Sequence, residues 1–301
     1  MSRRALLIVN AKSRSGASQL DASMEALRSH GIEPVHRDCG TREALSPIIV
    51  EHGRDVDCVV VGGGDGTLNA AALGVIERQL PLGILPLGTA NDLARTLGIP
   101  PDLDAAAQII ADGHMRTIDL GIVNGEPFFN VASLGLSADL ALQLTQDIKR
   151  RWGRAGYALV ALRVLTRARP FTATITSREG SVRVRTLQIA VGNGRYYGGG
   201  NAVERTAAID DQHLDLYSLE LKRAWKLALM ARSFRSGEHG AWEEVRAVRA
   251  KEFDIHTRRP KPINADGEIV TRTPAHFTIR PNAVTVFTPP LTAEADAPAG
   301  S

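Results

Sequence analysis

Residues 59 to 71, VVVGGGDGTLNAA, join a continuous apolar run to four glycines set around a single acid, Asp65, and then to a helix-forming stretch opening at Thr67 or Leu68. Glycines allow positive-φ turns and a close approach of backbone to a phosphate, and a helix that follows presents free N–H groups to an anion. The chemistry implied is the binding of a nucleotide phosphate. The segment has neither the GxxxxGK[ST] loop nor the GxGxxG pattern of dinucleotide sites. A carboxylate there would repel phosphate unless a cation lay between them. Asp65 therefore reads as an organiser of Mg2+ and its waters, with a cap on the helix as the plainer alternative.

Residues 81 to 100, PLGILPLGTANDLARTLGIP, repeat the logic of strand, glycine, threonine and helix. Thr89 offers a hydroxyl to a phosphate or caps the helix, and Asn91 and Asp92 sit at its first turn. If the two strands are neighbours, these side chains face the same crevice as Asp65, at the carboxyl ends of strands where open α/β sheets bind ligands.

The elements needed to position such loops are legible. ALLIV (5 to 9) and DCVVV (57 to 61) are apolar runs of the kind covered on both faces in a parallel sheet, and Leu82–Pro86 predicts a third such strand. Helical spacing predicts helices over Gln19–His30, Glu43–His52, from Thr67 onward, and over Leu103–Ala111. After about residue 114 short alternating runs take over (MRTIDLGIV, FTATITS, SVRVRTLQIAVG, HLDLYSLEL, KEFDIHT, AHFTIRPNAVTVFT), with helices near Leu136–Thr166 and Lys222–Arg232. The expected fold is an α/β nucleotide-binding domain with a mostly parallel sheet, residues 1 to 122, completed by the segment near 283 to 290. A β-sandwich-like domain, 123 to 282, follows, and then a disordered tail, 291 to 301.

Composition excludes several classes. With 23% charged residues among 301, no uncharged apolar run reaches the roughly 18 to 20 residues that cross a bilayer. Cys39 and Cys58 have no metal or CxxC spacing, which points to a reducing cytoplasm. The eight histidines show no ligand spacing, and a net charge of +3 is too small to announce a nucleic-acid partner. Between Asp147 and Arg169 lie seven cations (Lys149, Arg150, Arg151, Arg154, Arg163, Arg167, Arg169) against one acid. They read as a solvated helix face or, with Trp152 beside them, as a docking face for anionic lipid.

Gly63-Gly64-Asp65-Gly66-Thr67 followed by Leu87-Gly88-Thr89-Ala90-Asn91-Asp92 resembles the catalytic domain of bacterial diacylglycerol kinases and of their relatives, the sphingosine and ceramide kinases. The first loop is shared with NAD kinases and 6-phosphofructokinases; the second narrows the resemblance to lipid kinases. It continues through Asn10 and Lys12, Val191-Gly192-Asn193, Asp210-Asp211 to Leu214-Asp215, and Asn264-Ala265-Asp266-Gly267-Glu268, covering residue 5 to about 288. Such enzymes pair an α/β nucleotide domain with a β-rich one.

The resemblance implies transfer of the γ-phosphate of Mg2+-ATP to a lipid hydroxyl, diacylglycerol or a related glycerolipid. One of Asp266 and Glu268 would be the general base and the other would join a metal and water network with Asp65 and Asp92. Two residues apart, both face one side if the segment is extended. Nucleotide contacts carry over to Asn10, Lys12, Arg14, Thr41, Gly64, Asp65, Gly66, Thr67, Asn69, Thr89 and Asn91. A structural Mg2+ would take the Asp215 carboxylate with the backbone carbonyls of Gln212 and Tyr217. The usual DDGLLD reads here as Asp210-Asp211-Gln212-His213-Leu214-Asp215, Arg205 replaces an expected proline, Ala70 follows Asn69 where an acid is common, and Asn10 lacks its following proline. The partners implied are a membrane lipid substrate, with transient contact at the membrane surface, and no nucleic acid; a homodimer is left open, as is ATP against GTP. Two rivals stand beside this reading: a kinase of a soluble acceptor, such as NAD, and a nucleotide- or lipid-binding regulator without activity.

Overall fold

Three strands rich in Val, Leu and Ile organise the amino-terminal part: β1 (Arg3–Val9), β3 (Cys58–Gly63) and β4 (Leu82–Pro86). Residues Ala5 to Val9 and Cys58 to Val61 are buried at every position, as expected where helices cover both faces of a parallel sheet. A fourth strand, β2 (Ile32–His36), carries Pro34 and lies at the sheet edge, where a missing N–H is tolerated. The helices between are α1 (Gly16–Ser29), α2 (Leu45–His52, entered through a 3-10 turn at Arg42–Ala44), α3 (Asp65–Arg78), α4 (Asp92–Thr96) and α5 (Leu103–Asp112). The computed structural model describes residues 3–9, 16–143, 164, 166, 168–193, 196–197, 201–202, 208–221 and 245–290. Most of the cationic stretch from 147 to 169, the helix expected near 222 to 232, Arg205 and the tail after Pro290 lie outside them.

The chain divides into two compact units, Met1–Thr117 with Val284–Ser301, and Ile118–Ala283. Strand β5 (Met115–Val123) leads from the first to the second, through β6 (Glu126–Phe128), β7 (Val131–Gly135), α6 (Leu136–Gln143), β8 (Phe171–Ser177), β9 (Gly180–Thr186) and β10 (Gln188–Gly192). The strands that follow are β11 (Tyr196–Tyr197), β12 (Asn201–Ala202), β13 (Leu214–Leu219), β14 (Val245–Ala250), β15 (Glu252–Thr257), β16 (Pro262–Ala265), β17 (Glu268–Arg272) and β18 (Ala275–Phe287).

In the first unit the strand order is β2-β1-β3-β4, with the end of β18 added in parallel through Val286 against Leu82. From β1 the chain steps outward to β2, then returns to the other side of β1 for β3. The order thus reverses between β1 and β3, beside the Gly62–Gly66 loop. Arg3 stacks over the Phe287 ring at 5.0 Å, and Thr288 N–H donates to the His114 carbonyl at 3.0 Å. Asp102 caps α5 by accepting from Ala105 N–H at 2.9 Å, and Gly113 ends that helix at φ 78°.

The second unit is antiparallel. One sheet runs β14-β13-β10-β7-β16-β17; the other runs β18-β15-β8-β9. Inward residues of both, among them Leu134, Val191, Leu216, Ile255, Ile263 and Phe277, form one buried core, in which Phe128 meets Phe277 edge to face at 6.4 Å. Each fully buried aromatic or aliphatic side chain in it contributes about 1.5–3 kcal/mol. This is an α/β unit with a parallel sheet followed by a β-rich one, as the sequence leads one to expect. The expected helix from Leu136 is described as far as Gln143.

Candidate active site

In the first unit the two glycine loops leave adjacent strands, Gly63 of β3 pairing with Pro86 of β4. They then touch backbone to backbone. A Cβ at Gly88 would lie 2.4 Å from Gly64 Cα and 2.6 Å from Asn91 Oδ1, so Gly88 admits no side chain at this crossing, while a Cβ at Gly64 would meet Gly88 Cα at a tight 3.1 Å. Asn91 ties its own loop: its Oδ1 accepts from Gly88 N–H at 3.0 Å, and its Nδ2 donates to the carbonyls of Pro86 and Gly88 at 3.3 and 3.0 Å. It does so from a left-handed conformation, φ 50°, one that asparagine tolerates better than most residues.

Asp65 does not cap its own helix. The N-cap of α3 is Gly64, whose carbonyl accepts from the N–H groups of Thr67 and Leu68. The Asp65 carboxylate reaches across to the other loop, accepting from Asp92 N–H at 3.1 Å and Leu93 N–H at 2.9 Å, and so fixes the start of α4. Asp92 is buried at 5% exposure. Thr89 is exposed, and the N-cap of α4 is Asn91, so Thr89 does not serve as that cap. Asn69, on the first two turns of α3, accepts from Arg42 Nη2 at 3.4 Å, and Thr41 stands exposed beside that arginine. Asn10, Lys12 and Arg14 lie outside the described residues.

The NADGE segment belongs to the second unit and is not extended. Asp266 (φ 46°) and Gly267 (φ 98°) are the two central residues of the hairpin between β16 and β17, the Asp-Gly pair that a two-residue turn of this hand favours. The acids therefore do not share one strand face. Asp266 points back at β7: its carboxylate accepts from the N–H groups of Phe129 (2.6 Å), Asn130 (3.0 Å) and Val131 (3.2 Å). A carboxylate has about four lone-pair positions, so three are committed. Asn264 Oδ1 accepts from Gly267 N–H at 3.0 Å and closes the turn. Glu268, by contrast, is exposed at the start of β17.

Gln212, Asp215 and Tyr217 fall on one turn and strand. Gln212 lies at φ 60°, a conformation that explains why glycine is usual there. Asp215 and Tyr217 are buried in β13, between β10 and β14. Opposite Asp215 on β14 is Arg249, whose Nε lies 3.9 Å from the Asp215 carboxylate while its Nη2 is 2.6 Å from Asp211. A divalent ion on Asp215 would share that carboxylate with a guanidinium, an arrangement that does not fit the ion. Among the described residues no group of three or more His, Cys, Asp or Glu could hold a metal.

Two further residues have a positioning role: Asp119, which lies outside the motifs, and Asn193, which lies within Val191-Gly192-Asn193. Asp119, 1% exposed, accepts from Gln212 N–H at 2.6 Å and Asn282 N–H at 2.7 Å, joining the 212 turn to β18. In the alternating run MRTIDLGIV, Asp119 is in phase with Thr117 and Gly121 and out of phase with Ile118, Leu120 and Ile122, so the sequence gives no signal for its burial, which the tertiary fold imposes. Asn193 donates to the carbonyls of Asp119 and Phe129 at 3.1 and 2.8 Å, beside the amides that hold Asp266.

Comparison with known proteins gives the same picture. Residues 4–123 match the diacylglycerol kinase catalytic domain, and residues 130–288 match the YegS C-terminal NAD kinase beta sandwich-like domain. A protein of Pseudomonas syringae pv. syringae (strain B728a) named "Probable lipid kinase YegS-like" is 32% identical over 292 residues, covering 95% of this chain and 94% of that protein. Its counterpart in Pseudomonas savastanoi pv. phaseolicola is 34% identical over 233 residues, 77% of this chain and 75% of that one. A Bacillus anthracis str. Sterne protein, whose crystal structure carries a provisional diacylglycerol kinase name, superposes with a TM-score of 0.81 at 27% identity, covering 96% of each chain. With both halves matched and relatives aligned over almost their full length, the chain belongs to the YegS-like family of lipid kinases, built on the diacylglycerol kinase catalytic domain.

Proposed function

We propose that this kinase transfers the γ-phosphate of ATP to the hydroxyl of a membrane glycerolipid, diacylglycerol or a close relative, while visiting the membrane surface from the cytoplasm. The observation that carries the reading is the contact of the two glycine loops at Gly64 and Gly88, locked by the Asp65 carboxylate on the amides of Asp92 and Leu93. It sets the N-terminus of α3, where the helix dipole favours a phosphate. Phosphoryl transfer asks little more of a protein than positioning and charge neutralisation.

The Asp65 carboxylate stands at the crossing of the two loops, a hard oxygen donor of the kind that suits Mg2+ held through water. Bound there, the ion would neutralise charge on the transferred phosphoryl group. Asp92 would complete that acidic lining. Thr41, Gly64, Gly66, Thr67, Asn69, Thr89 and Asn91 would contact the nucleotide, as would Asn10, Lys12 and Arg14. Of the two carboxyl-terminal acids, Glu268 is our candidate for the base that takes the hydroxyl proton, because Asp266 is committed to three backbone amides.

No helix among the described residues is long and apolar enough to cross a membrane, which accords with access to lipid from one face. The test is transfer of label from γ-labelled ATP with Mg2+ to a panel of lipids in mixed micelles, with NAD as a soluble acceptor alongside. Labelled diacylglycerol or another glycerolipid supports the proposal. Label in NADP alone would replace it with a soluble acceptor, and no label anywhere would leave a binding regulator.

A further inference from the structure

The turn from 208 to 215 closes on side chains. Asp211 Oδ2 accepts from Ala208 N–H at 3.1 Å, Asp211 Oδ1 accepts from His213 N–H at 2.9 Å, and Gln212 N–H is taken by buried Asp119. Three carboxylates thus gather around one tight turn: Asp119 at 1% exposure, with the Asp211 and Asp215 side chains at 17% and 12%. Buried acids so placed call for a compensating cation.

One is present. Arg249 is the direct cross-strand partner of Asp215, and its guanidinium spans from Asp211 (Nη2, 2.6 Å) to Asp215 (Nε, 3.9 Å). A guanidinium is planar, permanently charged and weakly hydrated, which suits it to bridging two acids at the edge of a core. We propose that Arg249 takes the place of the divalent cation which the motif at Asp210–Asp215 would otherwise hold, so that this turn is metal-independent in this protein.

Two features of the chain agree. The residue at the turn is Gln212, strained at φ 60°, where an ion-binding version of the motif has glycine. A hard dication also needs several oxygens at about 2.1–2.5 Å, and a guanidinium beside its only carboxylate ligand would repel it.

The experiment is Mn2+ binding to the full chain without nucleotide, counted by paramagnetic resonance, for wild type, Asp215→Asn, Arg249→Gln and the double variant. Equal Mn2+ stoichiometry in wild type and Asp215→Asn is expected, together with one additional site in Arg249→Gln that the double variant loses. A site in wild type that Asp215→Asn abolishes would overturn the proposal. So would an Arg249→Gln protein that folds yet gains no site. Should Arg249→Gln fail to fold, Arg249→Lys, which keeps a smaller cation, is expected to show the wild-type count, and an extra site there would count against the idea. None of these readouts depends on the acceptor of the kinase, so they stand apart from the lipid assay.

Discussion

Glu268 and Asp266 are two residues apart, and their surroundings suit them to different work on the proposed function. Glu268→Gln should lower turnover by roughly 100- to 10,000-fold, the range for loss of a general base, with the melting temperature unchanged. Asp266→Asn turns one acceptor into a donor facing backbone N–H groups. It should cost about 1–3 kcal/mol of stability for each amide left unsatisfied, read in a thermal melt. Equal melting temperatures for the two variants would sink the division of roles. The pair itself was legible in the sequence; its division was not, because the amides that occupy Asp266 lie 135 to 137 residues away. The long reach of Asp65 to the start of α4 was hidden for the same reason. A third acid gives a pH signature. Burial pushes the Asp139 carboxyl above its usual 3.8, with Lys261 pulling the other way. The folded chain therefore holds that proton more tightly than the unfolded chain. The stability it contributes is full below the unfolded value and is lost as pH rises through the raised folded value. Asp139→Asn should then gain stability over wild type at neutral pH and lose that advantage below about pH 4, as measured by melts across pH.

At the scale of elements, the crossing of the two glycine loops makes the sharpest demand. Gly88→Ala would drive a methyl against Gly64 Cα, and separating the loops by about 1 Å should cost roughly 100-fold in kcat/KM. The check is steady-state kinetics beside a circular dichroism spectrum that stays native; activity within a few-fold of wild type would show that the loops can part freely. The strands feeding these loops were readable because burial on both faces erases alternation and leaves plain apolar runs, as in β1, β3 and β4. Strand β2, IEPVH, was missed: five residues with a proline give no clean period, and only an edge position makes them a strand. The expected helix over Glu43–His52 proved to be a 3-10 turn and a shorter α2, a boundary that propensity does not fix.

For the whole molecule, the informative strand is β18. Its first part, from Ala275, lies in the antiparallel unit, and its end, Val284–Phe287, belongs to the α/β unit, where Val284, Val286 and Phe287 are buried. Residues 1 to 117 alone should therefore fail to fold, whereas the same residues joined by a short linker to 284 to 290 should give a cooperative melt. Dispersed amide resonances from the shorter piece would contradict this. The sequence hinted at such completion, since AHFTIRPNAVTVFT runs on long past the length of an ordinary strand.

That discontinuity has a temporal side. On the ribosome the chain emerges amino terminus first, so Ile118–Ala283, being continuous, can close its core while the α/β unit still lacks a strand. The two glycine loops are made early, yet the sheet that holds them is complete only once residue 287 has emerged. A message cut short after the second glycine loop but before that point yields a protein that includes both loops and lacks the finished sheet behind them. On the proposed function, nascent and truncated chains would in this way be kept from binding nucleotide before the rest of the enzyme exists.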